Sequence, residues 1–312
     1  MKERDLIRRI VMETRMPEAV PVGPGDDLAV IAPPPGQLVF GVDTIVEGID
    51  FYPPDSPNAP DPVLIGRKAC LVNLSDIAAM GADPFCMVVS AAFKKGLPNG
   101  YVESIYEGIK AVEAEYGLAL AGGDISAIHG PTVLTVAVIG TLPGKPLLRS
   151  GAKPGDALLV TGNLGGSILG RHLDFPPRLA EGRFLVQAGA TSCIDISDGL
   201  ATDARHIAES SNVCIEINAD SVPISQDARA LSRKDKKSPF QHALTDGEDF
   251  ELLFTTSQND AQTILDTWPF DTPITVIGKV METGADADKG QVYLMSGKGR
   301  SVLVDGGYEH EI

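Results

Sequence analysis

The most constraining stretch of this 312-residue sequence runs from Asp61 to Pro84, above all its segment VNLSDIAAMGADP, Val72 to Pro84. Asp61 can cap a helix start, Pro62 suits the first helical position and Gly81 can close the far end, so the spacing predicts one helix between them. The helix is mostly apolar and is expected to be largely buried. At 3.6 residues per turn Gly66, Ala69, Asn73, Asp76 and Met80 share one strip of its surface, small at one end and polar in the middle. Asp76 is the exception in an apolar setting, where a carboxylate is costly unless it is paired, hydrogen-bonded or holding a cation. No Lys or Arg lies one turn away, and Lys68 is two turns back. Asp76 is therefore either bonded to loop N–H groups or a metal ligand aimed at a cleft. The choice turns on whether other carboxylates are presented in similar settings.

Several are. VGPGDDLAVI joins Gly23, Gly25, Asp26 and Asp27 in a loop, Val20 to Pro33, that is expected to enter a short strand. Adjacent residues of an extended chain point to opposite sides, so one of the two aspartates should face a site; Asp27 is the choice, against an ordinary Asp-Gly turn. QLVFGVDTIVEGIDF, Gln37 to Phe51, reads as β structure with Asp43 inside an apolar run, where aspartate is normally depleted. FCMVVSAAF reads as a strand, Asn99 to Tyr116 as a helix, and LALAGGD as a strand ending at Gly122-Gly123-Asp124, with Asp124 freed just past the strand end. TVLTVAVIGTL supplies another strand.

Composition bounds the rest. The length suits two domains with real cores, and 43% apolar content with mean hydropathy near zero fits a water-soluble globular chain. No apolar run approaches membrane-spanning length. The start, MKERDLIRRIVMETR, reads as an amphipathic helix over Glu3 to Glu13 with acids included, which points to the cytoplasm. The net charge of −16 argues against nucleic acid or an anionic membrane as partner, since both need clustered Lys and Arg. Cys70, Cys86, Cys193 and Cys214 show no zinc spacing and read as buried free thiols.

PGKPLLRSGAKPGD, Pro143 to Asp156, has three prolines and three glycines in fourteen residues and marks a break, giving domains over 1–147 and 148–312. DALLVTGNLGGSILG then reads as a buried strand, a glycine turn and a helix start. That turn could cradle phosphate but lacks the Lys-Ser/Thr of a P-loop, and a structural turn is the plainer reading. SCIDISDGLATDARHIAES places Asp195, Ser197, Asp198 and Asp203 at a strand-to-helix junction. Asp198 could simply cap the helix, whereas Asp195 sits between two isoleucines. NVCIEINAD is a strand, Ser225 to Asp235 a helix, and SRKDKKS a solvated charged loop. LTDGEDFELLFTT brings Glu248 and Asp249 before an apolar strand. PITVIGKV, QVYLMS and SVLV complete a β-rich remainder, with 284–290 as a hairpin loop. The five histidines fit no H-E-x-x-H or triad pattern and read as structural or surface residues; Trp268 should pack in the core.

The acids Asp27, Asp43, Asp76, Asp124, Asp195 and Asp198 thus recur beside glycine or within apolar sequence. Two carboxylates about 4 Å apart repel by about 4 kcal/mol at an effective dielectric of about 20, so a cluster needs a counter-charge. Mg²⁺ takes oxygen ligands, keeps waters and is held by one or two carboxylates plus phosphates. The residues point to Mg²⁺-dependent handling of nucleotide phosphates without a P-loop.

GDDLAV, VDTIVEGIDF, NLSDIAAMGADP, AGGD, LLRSGAKPGD, DISDGL and GEDFEL, in that order over roughly residues 20 to 280, resemble the thiamine-monophosphate kinase family. This belongs to the ATP-binding superfamily of aminoimidazole ribonucleotide synthetase and selenophosphate synthetase. The resemblance implies a two-domain α/β (α+β) fold of the aminoimidazole ribonucleotide synthetase type, its N-terminal domain pairing through β structure into a homodimer and its C-terminal domain α/β. It implies ATP as co-substrate held between the domains by several Mg²⁺ ions, and transfer of a phosphoryl group to thiamine monophosphate. By motif, Asp27, Asp43, Asp76, Asp124 and Asp195 resemble metal ligands, with Asp198 a further Mg²⁺ contact. Tyr106, Gly123, Asp124, Arg149 and Ser197 resemble nucleotide contacts, and Asp50, Glu248 and Tyr308 contacts to thiamine. The chain departs from the family in having Gly41 and Val42 where Ser or Thr often precedes Asp43. Asp50 stands for a common histidine, Asp246 for a glycine, and the tail ends Glu-His-Glu-Ile. Another ATP-dependent enzyme of the superfamily and a non-catalytic nucleotide-binding protein fit the same nucleotide contacts.

Overall fold

The structure, a computed structural model, describes residues 7–9, 11, 14, 16–283, 289–303 and 306–307. It divides into two compact units. The first comprises Met1–Ile77 and Ala82–Pro143, and the second Ala78–Gly81 and Gly144–Ile312.

The first unit is a four-stranded sheet with two helices. In chain order it contains β1 (Gln37–Val46), α1 (Pro62–Ala79), β2 (Asp83–Lys94), α2 (Tyr101–Tyr116), β3 (Ala119–Ile128) and β4 (Val133–Leu142). The strand order is β1-β4-β2-β3, with only the β2–β3 pair parallel. As its caps require, α1 starts where Asp61 Oδ1 accepts from Val63 N at 3.0 Å, and Gly81 past its end has φ 67. Being apolar on nearly every side, it is buried on nearly every side: Ile65, Leu71, Leu74 and Ile77 are at most 2% exposed. Each such burial contributes roughly 1.5–3 kcal/mol. Lys68 is fully buried as well, its Nζ donating to Asp50 O at 2.8 Å. The expected strip divides into Gly66, Ala69 and Asn73, which are buried, half-buried Met80, and Asp76, which is exposed.

Gly66 has a packing reason. An added Cβ there would lie 1.9 Å from Ile105 O, and one on Gly108 would lie 2.0 Å from Val63 O, so α1 and α2 meet backbone to backbone through two glycines. Alternation across the sheet is clear. Ile45, Val89, Leu134 and Val136 are buried, while Leu38, Phe40, Val42 and Val88 are exposed. Two expectations fail in this unit. Gly122-Gly123 does not end β3; the register shifts between Met87 and Val88, and the strand continues, leaving Asp124 within it opposite Ser90. A Cβ on Gly123 would lie 2.1 Å from Val89 O, so the glycines serve a bulge and a close strand approach. Residues 20–33 form no strand, only isolated bridges including Val22↔Val30. Of the first expected helix, 7–9 and 11 are helical, and its other residues lie outside those described.

The second unit contains β5 (Ala157–Thr161), α3 (Leu179–Gln187), β6 (Ser192–Asp195), α4 (Leu200–Ser211), β7 (Cys214–Asn218), α5 (Gln226–Leu231), α6 (Pro239–Thr245), β8 (Leu252–Thr256), α7 (Gln258–Thr267), β9 (Ile274–Met281), β10 (Val292–Ser296) and β11 (Gly299–Val302). Its seven strands run β11-β10-β7-β9-β5-β8-β6. Leu158, Ile194, Ile215 and Leu253 from the sheet join Leu200, Ala204 and Ile207 from α4 in one core. The glycine turn after β5 is followed by 3₁₀ turns, Ser167–Leu169 and Arg171–Leu173, in place of the expected α-helix. Trp268 is half-buried, edge-on to Phe184 and Phe270, and so lies at the margin of the core. Residues 284–288 of the expected hairpin loop lie outside those described. No helix among the described residues is long and apolar enough to cross a membrane.

Replacing Gly66 with Ala should lower stability by about 1–3 kcal/mol. Ala at Gly144, where an added Cβ meets nothing within 4 Å, should stay within about 0.5 kcal/mol. Calorimetric unfolding of the two variants checks the difference.

Candidate active site

In the first unit, a cavity of about 590 Å³ opens at the β3 edge and is lined by Asp26, Asp27, Tyr106, Gly123 and Asp124 among others. Four residues chosen from sequence therefore share one wall. The choice of Asp27 over Asp26 is not reproduced as an either-or, because both line the cavity, and Asp26 Oδ1 accepts from Asp27 N at 2.9 Å. Tyr106 comes from α2 and is buried. Burial, then the nearby Asp124 charge, push its hydroxyl well above the ordinary range, so it remains a hydrogen-bond donor at neutral pH.

A second group lies at the β1 edge, where Asp43 is hydrogen-bonded to Asp76 of α1. Burial raises the Asp43 carboxyl, and that bond partly offsets the rise. Two carboxyl groups in such contact need a proton or a cation between them, and an all-oxygen pair suits a hard divalent ion. Asp43 and Asp124 stand on the two edge strands of this sheet, β1 and β3. Asp50 follows β1 in a turn, its Oδ2 accepting from Val46 N at 2.7 Å.

In the second unit, the DISDGL and GEDFEL segments are joined along their backbones. Ile196 N donates to Glu251 O, Phe250 N to Ile196 O, and Glu248 N to Ser197 O, at 2.7–2.8 Å. Gly247 makes this possible: its φ is 71 and an added Cβ would lie 2.7 Å from Ser197 O. Asp195 is buried at the end of β6, and Ser197 and Asp198 are half-buried. Asp198 does not cap α4. Instead Asp203, 1% exposed, accepts from Asp198 N and Gly199 N through Oδ2, both at 3.1 Å, while its buried Oδ1 has no hydrogen-bond partner. Burial, then the charges of Asp195 and Asp198, push the Asp203 carboxyl up to about 8. Asp198, Asp203 and His206 offer ligand atoms within 4.8 Å of one another.

Glu248 and Phe250 both have φ 51, a conformation that costs about 1–2 kcal/mol for a non-glycine residue. Their surroundings hold it. Phe250 stacks on Phe175 at 4.1 Å, and Asp249 accepts from Gly165 N and from Arg171 Nη2 at 2.6 Å. Glu251 accepts from Arg178 through Nη2 at 2.7 Å and Nε at 2.8 Å. The glycine turn is structural, since Gly165 N and Gly166 N are taken by Asp249 and Asp246. Arg149 is exposed, its carbonyl accepting from Ser211 Oγ at 3.1 Å. Tyr308 lies outside the described residues.

Two histidines read from sequence as structural or surface residues touch candidate acids. His172 Nδ1 lies 3.2 Å from Glu248 Oε2, and His206 Nε2 lies 3.8 Å from Asp198 Oδ2. Neither contact has a local signal, since His172 and Glu248 are far apart in sequence and His206 lies eight residues after Asp198. The charged loop 232–238 is also tied down, through Lys237 to Asp246 and Asp235 to His242.

With this geometry in place, comparison with known proteins first defines the class. The domain families described as AIR synthase related protein, N-terminal domain and C-terminal domain match residues 25–142 and 117–289. A thiamine-monophosphate kinase of Rhodopirellula baltica is 37% identical over 288 residues, covering 89% of each chain. The crystal structure of thiamine-monophosphate kinase from Stenotrophomonas maltophilia is similar with a TM-score of 0.75 at 31% identity, covering 93% of this chain and 94% of that one. A structure described as AaThiL complexed with AMPPCP and TMP gives 0.73 at 29% identity, covering 99% and 96%. The chain belongs to the thiamine-monophosphate kinase family of AIR synthase related proteins. The two-domain α/β fold expected from the sequence motifs is thereby borne out.

A pH effect follows for Asp203. Its folded carboxyl titrates near 8 against 3.8 for the ordinary group, so from about pH 4 to 8 the folded state holds a proton that the unfolded state has lost. Its contribution to stability is full below pH 4 and declines as pH rises through 8. Asp203→Asn keeps an oxygen for the two N–H groups and should flatten that decline, as measured by urea unfolding from pH 5 to 8 in EDTA.

Proposed function

We propose that this chain transfers the γ-phosphoryl group of ATP to thiamine monophosphate, giving thiamine diphosphate and ADP. The observation that carries this reading is near-complete coverage of a relative solved with AMPPCP and TMP, taken with the family membership. A phosphate monoester has its second pKa at about 6, so the acceptor is mostly dianionic at pH 7 and needs no protein base. What the chain must supply is alignment and compensation of charge.

Asp27, Asp43, Asp76 and Asp124 of the first unit, and Asp195 and Asp198 of the second, would hold several Mg²⁺ ions. The all-oxygen contact of Asp43 with Asp76 fits that ion. When bound, Mg²⁺ neutralises charge on the transferring phosphoryl group. Tyr106 offers a hydroxyl donor and Gly123 a side-chain-free strand at the nucleotide cavity, where Asp124 also lies. Arg149 and Ser197 are assigned to the nucleotide, the guanidinium as a planar multi-donor group. Glu248, Asp50 and Tyr308 are assigned to thiamine, a carboxylate complementing the thiazolium cation.

The sheet face carrying Leu38, Phe40 and Val42, which are 47%, 74% and 57% exposed, is assigned to a second copy of the chain, making a homodimer. The cytoplasm suits four free buried cysteines.

Purified protein given Mg-ATP and thiamine monophosphate should form thiamine diphosphate, detected chromatographically; ATP turnover indifferent to the acceptor would contradict the assignment. Asp76→Asn should lower turnover a hundredfold or more, on the order of the loss of one electrostatic stabiliser, with an unchanged circular dichroism spectrum. Phe40→Asp should halve the mass seen by light scattering.

A further inference from the structure

We propose that His172 is a positioning residue for the acceptor site, fixing the carboxylate of Glu248 before substrate arrives. The inference rests on the reading that Glu248 meets the thiazolium of thiamine monophosphate. His172 is 4% exposed, yet its Nδ1 lies 3.2 Å from Oε2 of the partly exposed Glu248. A buried imidazole aimed at a partly exposed carboxylate does more than fill space, since an apolar ring would fill the same volume without a polar atom.

The neighbouring residue fixes the same turn. Arg171, in the same 3₁₀ turn, donates to Asp249 O at 2.9 Å and to Asp249 Oδ1 at 2.6 Å. The Glu248 backbone is held independently, its N–H on Ser197 O at 2.7 Å. Side chain, backbone and following residue are thus each anchored, two of them by consecutive positions of one turn. A glutamate otherwise has three rotatable bonds to immobilise on binding, so prior anchoring raises affinity for the ligand it contacts. The nucleotide contacts assigned above do not depend on this carboxylate, so the effect should fall on the acceptor alone.

Steady-state kinetics of the full chain with Mg-ATP and thiamine monophosphate test this. His172→Phe keeps an aromatic ring there and removes Nδ1. It should raise KM for thiamine monophosphate about tenfold, the scale of a hydrogen bond to a charged group, with KM for ATP and kcat changed less than about threefold. His172→Asn, whose amide nitrogen can stand near the Nδ1 position, should restore KM to within about threefold. Glu248→Gln, which keeps the size of a partly exposed side chain, should by itself raise the same KM. Parallel changes in both KM values, a kcat loss alone, or failure of Asn to rescue would overturn the positioning role. So would an unchanged KM in Glu248→Gln, which decides the matter even if His172→Phe fails to fold. Absence of thiamine diphosphate with the unaltered chain would instead overturn the functional reading itself.

Discussion

A carboxylate set among apolar residues must be answered by a cation, a proton or N–H donors, and this chain uses all three. Glu47 is answered by Lys94 and the N–H of Thr132, and Asp249 and Glu251 by Arg171 and Arg178. Those acids are scaffold. Asp203 is answered by two N–H groups and a retained proton, and Asp43 by another acid. The distinction separates acids held by arginine, lysine or N–H donors from acids that meet a retained proton or a second carboxyl group.

The scaffold acids explain how the second unit presents its motifs. The two positive-φ residues around Asp249 tolerate their backbone conformation because stacking, guanidinium contacts and glycine N–H donors hold them there. In turn the Glu248 turn lies against Ser197, so segments about fifty residues apart in sequence act as one surface. In the first unit a bulge does comparable work, carrying Asp124 onward within β3 while Gly123 accepts the close approach of β2.

Much of this was legible in the sequence, and the reasons are local. Caps at Asp61 and Gly81, alternation in β1 and β4, and the apolar runs of β5 and β8 depend on neighbours along the chain. The acids stood out because carboxylates are rare in such runs. What escaped depends on partners distant in sequence. Gly122-Gly123 looked like a strand end because glycine weakens strands, and only the pairing with β2 shows a bulge. His172 and His206 carried no motif because their acids lie on other elements or across a turn. The glycine turn after β5, by contrast, reads from the sequence as structural, and Asp246 and Asp249 do occupy its N–H groups.

All four cysteines are sealed inside, none more than 3% exposed. Burial pushes the Cys70 thiol up to about 12 and raises Cys86 and Cys193 as well. Reactivity toward electrophiles depends on the thiolate and on access to it. Alkylating reagents should therefore find the native chain nearly inert and label these sulfurs only as it opens, which makes the thiols a built-in clock for unfolding.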